Sequence, residues 1–296
     1  MARIDANGIT IEYDTFGDEG GRPLLLVMGL GAQMIRWDEE FCAMLADRGH
    51  FVIRFDNRDV GLSTKLNDQP VPDMTTLVGQ MMAGETPAVP YTLDHMADDA
   101  LGVLDGLGIE RAHVAGASLG GMVAQTMAIR HGARLRSMTS IMSTTGSTEV
   151  PPATPEAMAA LTSPVPEDLE GYVERTLRVA EVIGSPGFER DLDRARSLAE
   201  RAYHRSVYPA GTARQMAAVI AHGDRTDALA RVDVPALVIH GDADPLVHPD
   251  GGHATARALP RSELLVVEGM GHDLPMGTWP AIVDAIARHT DTHHGS

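Results

Sequence analysis

The chain has a single cysteine, Cys42, in 296 residues, so an intrachain disulfide and a thiolate-based structural zinc site are both excluded. Aromatic residues are scarce, at 5 Phe, 2 Trp and 5 Tyr, which leaves Leu, Val, Ala, Ile and 16 Met to build the interior. Cys42 is expected among them, as a small apolar side chain on a helix. No run of about 18 successive apolar residues occurs, so no segment reads as a membrane-spanning helix. Met1-Ala2-Arg3-Ile4-Asp5 has no basic stretch leading into an apolar one, and a cytoplasmic protein with no membrane partner is expected. Positive charge is also short: 24 Lys and Arg stand against 41 Asp and Glu, a net charge of −17. That balance disfavours approach to phosphate backbones, and no Lys/Arg cluster is visible along the chain, so nucleic acid is not an expected partner. The acidity reads as a well-solvated surface. Internal repeats and low-complexity segments are lacking too.

What is present is an alternation of short apolar runs with longer stretches of helical period, the pattern of a mostly parallel sheet covered by helices on both faces. An N-terminal hairpin is expected from Gly8–Phe16, through the turn Asp18-Glu19-Gly20-Gly21, into Leu24-Leu25-Leu26-Val27-Met28, a strand without a polar face. Further strands are expected at Phe51–Phe55, Ala112–Ala117, Leu135–Ser143, Ala236–His240 and Glu263–Val267. Helices are expected at Trp37–Arg48, Leu93–Leu107, Leu119–His131, Gly252–Leu259 and Trp279–His289. Residues 62–91 exceed normal connection length, and Met74, Leu77, Val78, Met81 and Met82 predict a short helix within them. From 144 to 230 only helical stretches occur, such as Leu169–Ile183 and Glu189–Arg205. The expected organisation is a core from residues 1–143 and 231–290, a helical cap over 144–230, and a disordered tail over 291–296.

The chemistry concentrates at Gly116-Ala117-Ser118-Leu119-Gly120, which fits G-x-S-x-G set between a predicted strand and a predicted helix. A Ser there sits on a sharp turn where side chains at Gly116 and Gly120 would collide, and the free N–H groups of the helix start face the place where negative charge would develop. An isolated G-x-S-x-G is as easily a helix cap in a Gly-rich turn, so the partners decide. Downstream, His240-Gly241-Asp242-Ala243-Asp244-Pro245 ends a strand with two candidate acids, and Gly269-Met270-Gly271-His272 follows the last strand. Serine needs a base to take its proton, and the base needs a carboxylate to fix its tautomer. The order Ser, Asp, His on loops at the carboxyl ends of parallel strands meets both needs. His240, His248 and His253 with Asp244 and Asp250 could suggest a metal site, but their spacing fits no standard ligand set, so no metal and no cofactor are expected.

Over nearly its whole length the chain resembles the α/β-hydrolase superfamily. Within it, Leu24-Leu25-Leu26-Val27-Met28-Gly29, Phe55-Asp56-Asn57-Arg58-Asp59-Val60-Gly61-Leu62-Ser63 and Gly269-Met270-Gly271-His272 resemble methyl esterases acting on anthracycline-type polyketides and serine-dependent macrolide esterases. The resemblance implies an α/β-hydrolase fold with an inserted helical cap and a catalytic set of Ser118, His272 and Asp244, the Asp before Pro, with Asp242 in reserve. It implies an oxyanion hole from the N–H groups of Leu30 and Leu119, although Met28-Gly29 stands where the family usually has His-Gly. Asp56 and Arg58 are expected to form a structural ion pair. Met28 and Met276 are candidates for the substrate pocket, since flexible thioethers adapt to bulky apolar ligands.

The expected reaction is hydrolysis of a carboxylic ester or lactone of a medium to bulky apolar small molecule through an acyl-enzyme, by a monomer or small homo-oligomer. A cofactor-free perhydrolase resembling haloperoxidases would share the same three residues. A ligand receptor that keeps them but turns over slowly is the alternative from another class.

Overall fold

In the computed structural model residues 1–295 are described, and Ser296, the last residue of the expected tail, lies outside the described residues. Eight strands form one sheet: β1 (Ala2–Ala6), β2 (Ile9–Phe16), β3 (Arg22–Val27), β4 (His50–Phe55), β5 (Ala112–Ala117), β6 (Leu135–Ile141), β7 (Ala236–Gly241) and β8 (Ser262–Val267). Their spatial order is β1-β2-β4-β3-β5-β6-β7-β8, with β1 and β2 antiparallel to their neighbours and the other six parallel.

Side chains alternate across a strand, and β3 shows what that alternation requires here. Leu25 and Val27 point to one face, against α3 (Leu93–Gly106) and α4 (Leu119–His131). Leu24 and Leu26 point to the other, against α1 (Glu39–Ala46) and α11 (Trp279–Thr292). All four side chains are fully buried, each contributing about 1.5–3 kcal/mol relative to exposure. A strand with two apolar faces must be central, and β3 accordingly lies between β4 and β5.

This overturns the expected N-terminal hairpin. β2 pairs with β1 and β4, not with β3. The tight turn is Asn7-Gly8, whose φ values of 50° and 77° both lie in the left-handed region, as a two-residue turn matching strand twist requires. α2 (Met74–Met82) is the short helix expected between residues 62 and 91, capped by the Asp73 carboxylate on the Thr76 N–H at 2.7 Å. Between β6 and β7 the chain is helical: α5 (Pro155–Leu161), α6 (Leu169–Ile183), α7 (Leu192–Arg205), α8 (Pro209–His222) and α9 (Thr226–Leu229). α10 (Asp250–Ala258) joins β7 to β8. The expected disordered tail begins too early, because α11 carries on through Thr292 and the His294 ring stacks on His113 at 5.8 Å. Arg111, Arg136, Arg231 and Arg261, far apart in sequence, line one groove with Asp233 at the amino-terminal end of β6 and β7, and Arg261 pairs with Asp233 at 3.5 Å.

Three buried imidazoles lie at that same end of the molecule. His50 bonds Leu45 O at 2.8 Å and Thr290 Oγ1 at 2.7 Å, and His113 bonds Ser137 Oγ at 2.8 Å. Burial favours the neutral ring, pushing His50 down to about 4, His113 to about 3 and His289 to about 4. An imidazole in the unfolded chain titrates near about 6.5, so between the two values the unfolded state binds more protons and stability is lost as the pH is lowered. The free energy of urea unfolding should drop by about 2 kcal/mol per imidazole between about pH 7.5 and about pH 5, and by less in a His113→Gln variant. A flat profile over that interval would contradict the neutrality of these rings.

Candidate active site

Ser118 occupies the bend between β5 and α4 with φ 56° and ψ −120°, a left-handed conformation that costs a non-glycine residue on the order of 1–3 kcal/mol. The surroundings hold it there. Its N–H donates to Ile141 O at 2.9 Å, and its carbonyl accepts from Ser143 Oγ at 2.8 Å. A Cβ on Gly116 would lie 1.9 Å from Gly120 O, and a Cβ on Gly120 would lie 2.0 Å from Val27 O. The bend can therefore form only where both positions lack a side chain.

Three loops at the carboxyl ends of the strands converge on the hydroxyl. Ser118 Oγ lies 3.0 Å from His272 Nε2, and His272 Nδ1 lies 2.7 Å from Asp244 Oδ2. Asp244 is buried and His272 nearly so, with side-chain exposures of 0% and 7%. Asp244 Oδ1 also accepts the N–H groups of Leu246 and Val247, each at 2.9 Å. Burial works to raise the Asp244 pKa, but the facing His272, hydrogen bonds from His240 and His272, and the Val247 N–H outweigh it, and the carboxyl is held well below the usual carboxylate range. An ionised Asp244 accepts a hydrogen bond from the His272 Nδ1–H and so keeps the proton on Nδ1, which leaves Nε2 with the lone pair that Ser118 Oγ–H meets. Such an arrangement can withdraw a proton from the hydroxyl and stabilise the imidazolium that results.

Asp242, the reserve acid, does not approach the imidazole: its Oδ1 accepts the Gly269 N–H at 2.7 Å. Leu119 N–H opens α4, and among the described residues neither it nor the Leu30 N–H has a hydrogen-bond acceptor. The loop carrying Leu30 packs against the serine, since a Cβ on Gly29 would lie 3.3 Å from Ser118 Cβ. Asn57 Nδ2 on Met28 O at 2.9 Å and the Gly31 N–H on Gln215 Oε1 at 2.8 Å fix that loop on both sides. Met28 is only 7% exposed, in the core behind the loop, whereas Met276 is 43% exposed on the turn Met276–Thr278.

The expected Asp56–Arg58 pair does not exist. Asp56 pairs with Arg205 of α7 at 2.7 Å and Arg58 with Asp99 of α3 at 2.5 Å. Two residues apart in sequence, the side chains leave the loop in different directions. Asp59 completes the set with Arg214 of α8 at 2.8 Å. Nothing local in the sequence marks Arg205, Arg214, Gln215 or Ser185 as partners of these loops, because each contact joins segments far apart in the chain. His240, weighed in the sequence only as a metal ligand, stands one residue before the end of β7, and its Nε2 lies 2.9 Å from Val247 O and 3.4 Å from Asp244 Oδ2.

Gly120→Ala should be strongly destabilising, because its Cβ would meet backbone rather than a movable side chain. The expected loss is about 3 kcal/mol or more by urea unfolding. A variant of wild-type stability would mean that the bend has room to relax.

A rhodomycin D methylesterase from Streptomyces peucetius is 29% identical over 308 aligned positions, which cover 97% of this chain and 97% of that protein. A 3-oxoadipate enol-lactonase from Acinetobacter baylyi is 26% identical, with 90% of this chain and 87% of that protein covered. A solved meta-cleavage product hydrolase from Pseudomonas fluorescens has the same fold, with a TM-score of 0.77 at 19% identity and 99% and 98% of the two chains covered. The family model described as alpha/beta hydrolase fold matches residues 22–277, and together with the sheet order and the bend at Ser118 this means that the chain belongs to the α/β-hydrolase family.

Proposed function

We propose that the protein is a serine-dependent hydrolase cleaving a carboxylic ester or lactone of a medium to bulky apolar small molecule through an acyl-enzyme. The observation that carries this reading is the chain of contacts from Ser118 Oγ to His272 at 3.0 Å and from His272 to Asp244 at 2.7 Å. The names of the relatives, a methylesterase and an enol-lactonase, support the substrate class. Methyl esters and enol lactones both present an acyl carbon bearing an oxygen leaving group, so one apparatus serves either.

In this mechanism Ser118 Oγ attacks the acyl carbon while His272 Nε2 takes its proton. The oxyanion that forms is held by the N–H groups of Leu30 and Leu119, and the positive end of α4 favours its charge. Collapse expels the alcohol, which leaves with the proton from His272. Water then attacks the acyl group with His272 as base, and the acid is released with Ser118 restored. Asp244 stays ionised throughout and keeps Nδ1 protonated. The helices between residues 144 and 230 would roof the site, and Met276 would line its edge.

A fluorophosphonate probe followed by peptide mapping tests the reading, with Ser118 as the modified residue and no labelling of Ser118→Ala. On an activated short-chain ester, Ser118→Ala should lose at least about a thousandfold in kcat with folding intact. The two acids separate cleanly. Asp244→Asn should cost on the order of a thousandfold or more, because the amide cannot stabilise the imidazolium. Asp242→Asn keeps an oxygen for the Gly269 N–H and should change kcat by less than about threefold. Labelling elsewhere in the chain, or equal losses at the two acids, would sink the assignment.

A further inference from the structure

The last residue of α6 and the segment that follows it lie against the loop that carries His272. The His272 N–H donates to Ile183 O at 2.7 Å, and the Gly187 N–H donates to Gly269 O at 2.9 Å. Between them the Ser185 hydroxyl has two partners: Oγ accepts the Gly271 N–H at 2.8 Å and donates to Asp273 Oδ1. Ser185 is buried, at 1% exposure. Around that hydroxyl the two main chains touch directly, for a Cβ on Gly187 would lie 2.7 Å from Gly269 Cα and a Cβ on Gly271 would lie 2.4 Å from Gly184 O.

We propose that Ser185 is a positioning residue: its hydroxyl, bridging Gly271 and Asp273, holds the histidine loop at the height where the imidazole meets Ser118. This rests on the hydrolase reading above. The physical case is that Gly271 and Asp273 flank His272 directly, so one hydroxyl bonded to both neighbours fixes the backbone on either side of the ring. The Asp244 contact orients the ring about its own bonds but does not fix the height of its Cα. Loss of the Ser185 hydroxyl leaves the Gly271 N–H unpaired in a dry contact, and the loop shifts to recover a partner. A shift of about 1 Å at the base can cost about a hundredfold in rate while substrate binding is untouched. Ser185 acts through His272 and makes no contact with Ser118 or Asp244 in the described bonds.

The test compares wild type with Ser185→Ala, Asp273→Ala and Asp273→Asn, reading fluorophosphonate labelling at Ser118, steady-state hydrolysis of an activated ester, and Tm. Ser185→Ala and Asp273→Ala should each lower kcat and labelling rate by about tenfold or more, with KM within about twofold. Asp273→Asn keeps an acceptor for the Ser185 hydroxyl and should recover to within about threefold of wild type. Should Ser185→Ala fail to fold, the pair at Asp273 carries the same comparison. Wild-type rates in Ser185→Ala and Asp273→Ala, or losses expressed in KM alone, would overturn the positioning role. Absence of Ser118 labelling in the wild type itself would instead overturn the hydrolase reading, so the two failures are separable.

Discussion

The bend at Ser118 is the constraint on which the rest of the structure depends. A strand must end, reverse its direction and start a helix within one residue, and that residue takes a left-handed φ of 56°. Neither the strand nor the helix relieves that strain; it is contained by the main chain packed around the bend. β3 brings Val27 O up against Gly120, β6 brings Ile141 O to the Ser118 N–H, and Ser143 closes on its carbonyl. The two apolar faces of β3 and the central place of β5 follow from the same need, because only a bend walled in by neighbouring strands on both sides can be held away from its relaxed geometry.

A second set of constraints radiates from the loop after β4. Asp56, Arg58 and Asp59 are all buried, and each pairs with a different helix: α7, α3 and α8. Burial raises the Asp59 carboxyl, but Arg214 and the Leu66 N–H more than compensate and hold it low, whereas at Asp99 burial prevails over Arg58 and the pKa is raised. Buried pairs of this kind are poor evidence for net stability, yet removing one partner strands the other at a cost of about 3–5 kcal/mol. Their effect is to specify which helix docks where. Helices α7 and α8, which belong to the segment between β6 and β7, are thereby anchored to the same loop that steadies Met28, and Gln215 of α8 in turn holds the Gly31 N–H.

Much of the sheet is legible in the sequence because its strands are short apolar runs separated by Gly and Pro, and because G-x-S-x-G with a strand before and a helix after has few other meanings. Ser118, Asp244 and His272 could be proposed from order alone, since each follows a strand and each residue type supplies what the next requires. The hairpin at Asn7-Gly8 was also legible in principle, as a short hairpin signal, but the apolar run at Leu24–Val27 drew the pairing to the wrong partner. The ion pairs from residues 56 to 59 were not legible. A charge names the sign of its partner but not its place in the chain, and Arg205 and Arg214 stand 149 and 155 positions away. Ser185 carries even less local signal, being one hydroxyl in a Gly-Ser-Pro-Gly corner whose meaning lies 88 positions downstream.

The contact between the α6–α7 corner and the histidine loop is made almost wholly by main-chain atoms and glycines. The amphipathic helices on either side can consequently exchange their inward-facing residues, by drift or by deliberate shuffling, while the corner that meets the base is left alone. On the proposed reading, in which these helices roof the site, whole helices could be recombined provided the short Gly-Ser-Pro-Gly corner travels with them unchanged.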